Sequence, residues 1–295
     1  FLTINFNCTI NCSDSHILWP GCEDVYGVGN NDFPPDIGPR DEVNPRTGMF
    51  ISTGSFFDPD GDGQQENDSD APGENRMQVL REDLETPGAE YLFEAWYVIR
   101  NDVNIFNSME TRPVTPTNNS GNSWSYGLES GPDGFSNGPS IDEWVDPATD
   151  PATGAQNVLV DDERIGRFKL AVRTENLGGD QYRYTYMLMN FDVENGIDEL
   201  LLTSSAEAPS NYHFNDVDRN SGNDWPLTED AEGTRFAAPA GNPIPWGAGY
   251  TFSFVAPLAP GNGVAEVNVP DQGAQTVNIL VPDQLAEVFL VDGFE

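Results

Sequence analysis

Two runs of alternating residues around a Gly-Gly turn constrain this chain more than any other feature. Between Gly166 and Phe191, Phe168, Leu170 and Val172 alternate with Lys169, Ala171 and Arg173. Gly178-Gly179-Asp180 then supplies a turn, and Tyr182, Tyr184, Tyr186 and Leu188 alternate with Arg183, Thr185 and Met187. Successive side chains of a strand point to opposite faces, so this pattern predicts a β-hairpin. The segment Glu90 to Arg100 (EYLFEAWYVIR), rich in aromatic and β-branched residues, reads as a buried central strand. Shorter apolar segments predict strands at 76–80, 197–203, 250–256, 264–269, 275–281 and 286–291. The polar stretch 107–155 is too long to be structureless inside a compact domain and is expected to hide one or two strands. No segment sustains a helical period, and Gly (29) and Pro (23) are spread out as turn formers. The expectation is an all-β fold, an antiparallel β-sandwich of jelly-roll-like kind with long loops. Residues 1–53 are expected to be an irregular segment packed on the sandwich, 54–260 its core with a calcium-binding loop, and 261–295 C-terminal strands involved in assembly.

Charge limits the partners. The chain holds 49 Asp and Glu against 13 Lys and Arg, a formal net charge of −36, and its single lysine is Lys169. Such a surface repels nucleic acid and anionic lipid. It also repels itself, so the folded state is expected to depend on screening salt or bound cations. Adaptation to a saline medium and the use of some carboxylates as metal ligands both fit this balance. There is no run of about 18 apolar residues that would span a membrane.

The strongest chemical motif lies between Asp58 and Asp70. Asp58, Asp60 and Asp62 alternate, Gly63 permits a sharp bend, Gln64 can offer its carbonyl, and Glu66, Asp68 or Asp70 can close the shell. Calcium takes six to eight oxygen ligands, which this spacing can supply. The loop resembles the DxDxDG loops of dockerin and thrombospondin type 3 repeats, with Ser69 where those loops place an acid at position twelve. A solvated acidic loop is the alternative. A second cluster, Asp216, Asp218, Asn220 and Asp224, repeats the first half of such a loop, and a turn held by Asx side chains explains it almost as well.

Cys8, Cys12 and Cys22 crowd the N-terminus without a CxxC pair, with His16 as the one nearby imidazole. A disulfide in an oxidising compartment is expected, with the third thiol free or paired elsewhere. Enzyme readings find little support. His16 and His213 are the two histidines, and neither has a nucleophile motif beside it. HExxH and phosphate-binding Gly-rich loops are absent, and paired acids carry no signal in a chain so rich in them. Among six tryptophans, Trp96 reads as core, and Trp124 and Trp144, in polar surroundings, are the two candidates for stacking on a sugar.

The hairpin stretch GRFKLAVRTENLGGDQYRYTYMLMNFDVENG resembles a recurring segment in a family of secreted, β-rich bacterial proteins of gammaproteobacteria and planctomycetes. Residues 21–50 (GCEDVYGVGN…IGPRDEVNPRTGMF), 211–225 (NYHFNDVDRNSGNDW) and 241–254 (GNPIPWGAGYTFSF) are similar to further blocks of that family. The ending VDGFE resembles a C-terminal tag of secreted gammaproteobacterial proteins, whereas DELLLTS after the hairpin departs from the family form. The resemblance implies export and a β-rich fold, and carries over no activity. The resulting expectation is a non-enzymatic extracellular structural protein, a surface, matrix or filament subunit that self-associates and is stabilised by calcium. The alternative is a calcium-dependent carbohydrate-binding module or adhesin for extracellular polysaccharide, and a glycan-degrading enzyme is a third class.

Overall fold

The alternating hairpin forms as its pattern dictates and occupies the middle of a five-stranded antiparallel sheet. The computed structural model describes residues 38–51, 53–69, 78–99, 102–121, 123–128, 134 and 136–283, with the two short strands Asn5–Phe6 and Glu23–Asp24. The chain divides into two compact units, Phe1–Val43 with Phe50–Glu85, and Asn44–Met49 with Thr86–Glu295.

The second unit contains the sandwich. Its strands are β1 (Ala155–Asp162), β2 (Gly166–Gly178), β3 (Gln181–Asn190), β4 (Glu199–Leu202), β5 (Ser210–Asn215), β6 (Leu227–Glu229), β7 (Thr234–Ala237), β8 (Ala248–Ala256), β9 (Pro260–Val269) and β10 (Gly273–Pro282). One sheet runs β5-β8-β3-β2-β1 and the other β6-β7-β4-β9-β10, with every pairing antiparallel. In the hairpin, Leu170 lies opposite Leu188 and Val172 opposite Tyr186. Gly178, Gly179 and Asp180 turn the chain at φ of 80°, 62° and 57°, a left-handed run that glycine enters without steric cost.

The alternation places Phe168, Leu170, Val172, Tyr184, Tyr186 and Leu188 on the inner face. There they meet Leu200, Leu202, Phe236, Val267 and Ile279 of the facing sheet in one buried core. Each fully buried side chain of this size contributes about 1.5–3 kcal/mol. Phe236 and Phe252 meet across the two sheets with ring centroids 4.9 Å apart. The polar ends of buried aromatics are satisfied. The Tyr186 hydroxyl donates to the Leu280 carbonyl at 2.8 Å, and the Trp225 indole donates to the Asn242 carbonyl at 2.7 Å. On one side the sandwich is clasped by Gln156 of β1. Its amide donates to the Asn278 carbonyl and accepts from the Leu280 amide of β10, at 3.2 and 2.9 Å.

Residues 275–281, within the C-terminal segment expected to take part in assembly, form the edge strand of their sheet, where Gln156 bonds Asn278 and Leu280. Strands β9 and β10 also supply Ala265, Val267, Val269 and Val277 to the common core. The expected strand 286–291 lies outside the described residues.

Two sequence expectations are corrected. Tyr91–Trp96 is an edge strand of a separate small sheet with Met109–Ser120 and Ser123–Leu128, not a buried central strand. Its aromatic residues are half-buried, and Leu92 and Tyr97 are 40% and 46% exposed. Apolar composition is shared by central strands and by strands that cover another element's surface, which explains the misreading. Gln78–Leu80 is not a strand and leads into a four-residue helix, Arg81–Leu84. The polar stretch 107–155 does contain strands, 109–120 and 123–128, followed by the short helix Ser140–Trp144. Among the described residues no helix is long and apolar enough to cross a membrane.

The outer face of the hairpin is also covered. Ala171, Met189 and Phe191 form a second buried cluster with Ile105, Met109, Ile141 and Val145, and Trp96 and Trp144 pack on its margin.

Replacing Tyr186 with Phe removes the hydroxyl that joins β3 to β10 and leaves the core shape intact. The expected loss is about 1 kcal/mol of unfolding free energy. Urea denaturation of the full chain measures it, and an unchanged midpoint would show that this bond adds nothing.

Candidate metal centre

The acidic loop folds through its own carboxylates. Asp58 Oδ2 accepts from the Gly63 amide at 3.1 Å, Asp60 Oδ1 from the Asp62 amide at 3.1 Å, and Asp62 Oδ1 from the Gln64 amide at 2.8 Å. Short acidic side chains readily bond backbone amides two residues on, so this spacing coils the chain tightly. Gly61 and Gly63 take φ of 76° and 85° at the bends. The loop is closed at its base where the Glu66 amide donates to the Phe57 carbonyl at 2.9 Å and the Asn67 side chain to the Phe56 carbonyl at 2.7 Å.

The result is a group of four acids, Asp58, Asp60, Asp62 and Glu66, each offering a carboxylate oxygen within 4.8 Å of the others. Oxygens on opposite sides of one calcium, bound at about 2.4 Å each, are about 4.8 Å apart, so one ion can reach all four. Asp60, Asp62 and Glu66 are exposed, but Asp58 is 6% exposed and its Oδ1 has no hydrogen-bond partner. A buried carboxylate oxygen without a donor is costly unless a cation meets it. The Glu66 carboxyl is held above the usual glutamate range by desolvation and then by Asp60, Asp62 and Asp58. The cluster can therefore hold a metal ion.

Glu66 closes the group in place of the acid expected at position twelve, where Ser69 is fully buried. Asp68 is exposed and outside the four, Gln64 is exposed beside Gly63, and Asp70 lies outside the described residues.

The second acidic cluster has its oxygens engaged differently. Asp216 accepts from the Asp218 amide at 2.9 Å and from the Asn242 side chain at 2.9 Å. Asp218 accepts from the Asn220 amide at 2.6 Å and the Asn223 side chain at 3.1 Å. Asn242 also bonds the Asn223 carbonyl and the Tyr250 hydroxyl, and its own carbonyl holds Trp225. This turn anchors the loop to the core, while Asp224 is exposed and Asn223 Oδ1 is buried without a partner.

Trp144 is engaged within the fold: the Arg173 guanidinium lies 5.2 Å from its ring centroid and also donates to its carbonyl. Trp124 is half-buried on strand 123–128, opposite Asn118, with Tyr126 exposed two residues on and on the same face. His213 is exposed on edge strand β5. Cys8, Cys12, Cys22 and His16 lie outside the described residues.

No protein-family model and no curated protein matches the chain. Among solved structures, the KRT10-binding region domain of the pneumococcal serine rich repeat protein PsrP is similar at 13% identity and a TM-score of 0.27. That match covers 43% of this chain and 96% of that domain.

The carboxylate group sets a pH response. With no cation bound, the raised Glu66 favours the folded loop when protonated. That contribution is present below the unfolded-state pKa and is lost as pH rises through the raised folded value. A bound cation selects the carboxylate form and reverses the sign. Calcium affinity is expected to fall on acidification from a pH above that of an ordinary glutamate, and Glu66→Gln to bind more weakly with a flatter response. Calorimetric titrations at several pH values check this, and an affinity constant across the carboxylate range would overturn it.

Proposed function

We propose that the protein is a calcium-stabilised structural component of the cell exterior, a surface, matrix or filament subunit. The observation that carries the reading is the four-carboxylate group with the buried, unpartnered Asp58 oxygen. Calcium accepts many carboxylate ligands in flexible geometry, whereas magnesium keeps several waters and takes one or two carboxylates. Calcium loops of extracellular modules bind at about 10⁻⁴–10⁻³ M, a range useful only where calcium is abundant. The formal charge of −36 points the same way, since subunits of such charge associate only when cations neutralise their contacts. Export and an N-terminal disulfide fit this reading and come from the sequence alone.

Calcium at about a hundred times its Kd is expected to stabilise the loop-bearing unit by about 2.7 kcal/mol, and chelator to remove that gain. Limited proteolysis and thermal melts with and without calcium measure this, with Asp60→Asn/Asp62→Asn as the control that loses the response. Equal stability in calcium and chelator would sink the calcium reading. Light scattering across a calcium titration tests self-association, and a monomer at every concentration would exclude the subunit role.

A second reading, a polysaccharide-binding adhesin, is supported by Trp124 and Tyr126 presenting their rings on one face of an edge strand. Binding to a glycan array is expected to be lost in Trp124→Ala and retained in Trp144→Ala, because Trp144 is committed to Arg173.

A further inference from the structure

We propose that Lys169 and Asn157 are joined, or become joined, by an intramolecular amide cross-link formed with the help of Asp142. Lys169 is the only lysine in the chain, yet it is 5% exposed. Lysine is almost never buried without a specific partner. Its Nζ meets both carboxylate oxygens of Asp142, one of them at 2.5 Å, and lies 5.3 Å from the centre of the Phe106 ring. Asn157, 8% exposed, donates from Nδ2 to Asp142 at 2.8 Å and to the Val145 carbonyl at 2.7 Å, while its Oδ1 is buried without a partner.

The register brings the pair together. Asn157 of β1 is opposite Ala171 of β2, and Lys169 is two residues from Ala171, so Lys169 and Asn157 are diagonal neighbours on one face. Asp142, from the helix Ser140–Trp144, bonds both the amine and the amide nitrogen. Buried Ile141, Val145 and Phe191 belong to the same cluster as Ala171.

A simple buried ion pair does not account for the choice of residues. Arginine is better suited to such pairs, and every other side-chain cation of the lysine and arginine class in this chain is arginine. Lysine differs in being able to give up a proton and act as a nucleophile. Nor does the ion pair explain why a buried asparagine carbonyl is left without a donor.

The step balances without an added reactant. Nζ passes a proton to the Asp142 carboxylate, and the neutral amine attacks Cγ of Asn157. Asp142 delivers that proton to Nδ2, the Cγ–Nδ2 bond breaks and ammonia leaves. Asp142 then takes a second proton from Nζ. An ammonium, a carboxylate and a primary amide become a secondary amide, a protonated Asp142 and ammonia. Fixed proximity in a water-poor site supplies the rate advantage.

Intact mass spectrometry of the folded, then reduced, full chain tests this directly. The expected mass is lower than the sequence mass by one ammonia, with a proteolytic fragment that joins the Asn157 and Lys169 segments. Lys169→Arg and Asp142→Ala are expected to keep their full sequence mass, with circular dichroism confirming that each variant is folded. A wild-type chain at full sequence mass overturns the proposal whether or not the variants fold. Loss of water with Lys169 joined to Asp142 overturns the assignment to Asn157. Loss of ammonia persisting in folded Asp142→Ala overturns the role of Asp142.

Discussion

The structure depends on the burial of one hairpin from both sides. Phe168, Leu170, Val172, Tyr184, Tyr186 and Leu188 face the second sheet, while Ala171, Met189 and Phe191 face the cluster of Ile105, Met109, Ile141 and Val145. Strands sealed on both faces leave no room for an uncompensated polar group. Everything charged beside them must be paired. Asp192, 1% exposed, is held by Arg167 at 3.0 Å, and burial still pushes its carboxyl up despite that cation and the Arg167 amide. Asn190 bonds the Val193 and Ile244 carbonyls and accepts from the Val193 amide, so its side chain is fully used where β3 ends. Asp58, Asn157 and Asn223 each keep one buried oxygen without a partner, and the first two lie beside a group that could meet it, the acidic cluster for Asp58 and the Lys169–Asp142 pair for Asn157.

What the sequence disclosed follows from how local the signal was. The hairpin announced itself because both strands and their turn are contiguous, and period two survives burial of both faces when the second face takes Ala171 and Met187. The strand at 250–256 is read from its apolar content alone, and its Tyr250, Phe252 and Phe254 alternate onto the buried inner face. Pairings such as β4 with β7 and β9, or β8 between β5 and β3, join segments far apart and leave no mark on any one of them. Tyr91–Trp96 misled because aromatic richness reports burial against something without saying what. The acidic loop was readable from Asp58, Asp60 and Asp62, since the turn chemistry that coils it is local. Its closure by Glu66 needed the Phe57 carbonyl to place residue 66. The Lys169 cluster draws on a helix and two strands, and its one sequence sign was the solitary lysine.

The scarcity of cations explains where they are spent. With 13 lysines and arginines against 49 acids, most carboxylates have no basic partner available. Arg235 serves three acids at once, Glu199, Asp230 and Glu232, and its guanidinium is held above its ordinary value, chiefly by hydrogen bonding to Glu199. Arg167 bridges Asp161 and Asp192. Planar forks with several donors suit such shared positions, which fits a chain that uses arginine almost throughout. The loop at 58–66 gathers four carboxylates, and a cation taken from solution would neutralise them.

That division places the two devices at opposite ends of permanence. Cation binding to exposed carboxylates is reversible and follows the medium, so the proposed calcium site would make the loop-bearing unit respond to calcium and to pH. The Lys169 site sits beneath a short helix with Lys169 and Asn157 buried, and the proposed amide, once formed, would not follow the medium as a bound cation does. Because Asn157 belongs to β1, the outermost strand of its sheet, a bond to β2 would fix the edge that Gln156 already clasps to β10. Edge strands are where a sandwich unzips first and where foreign strands pair. A strand tied on one side by a covalent bond and on the other by a side-chain clasp can neither peel away nor slip in register.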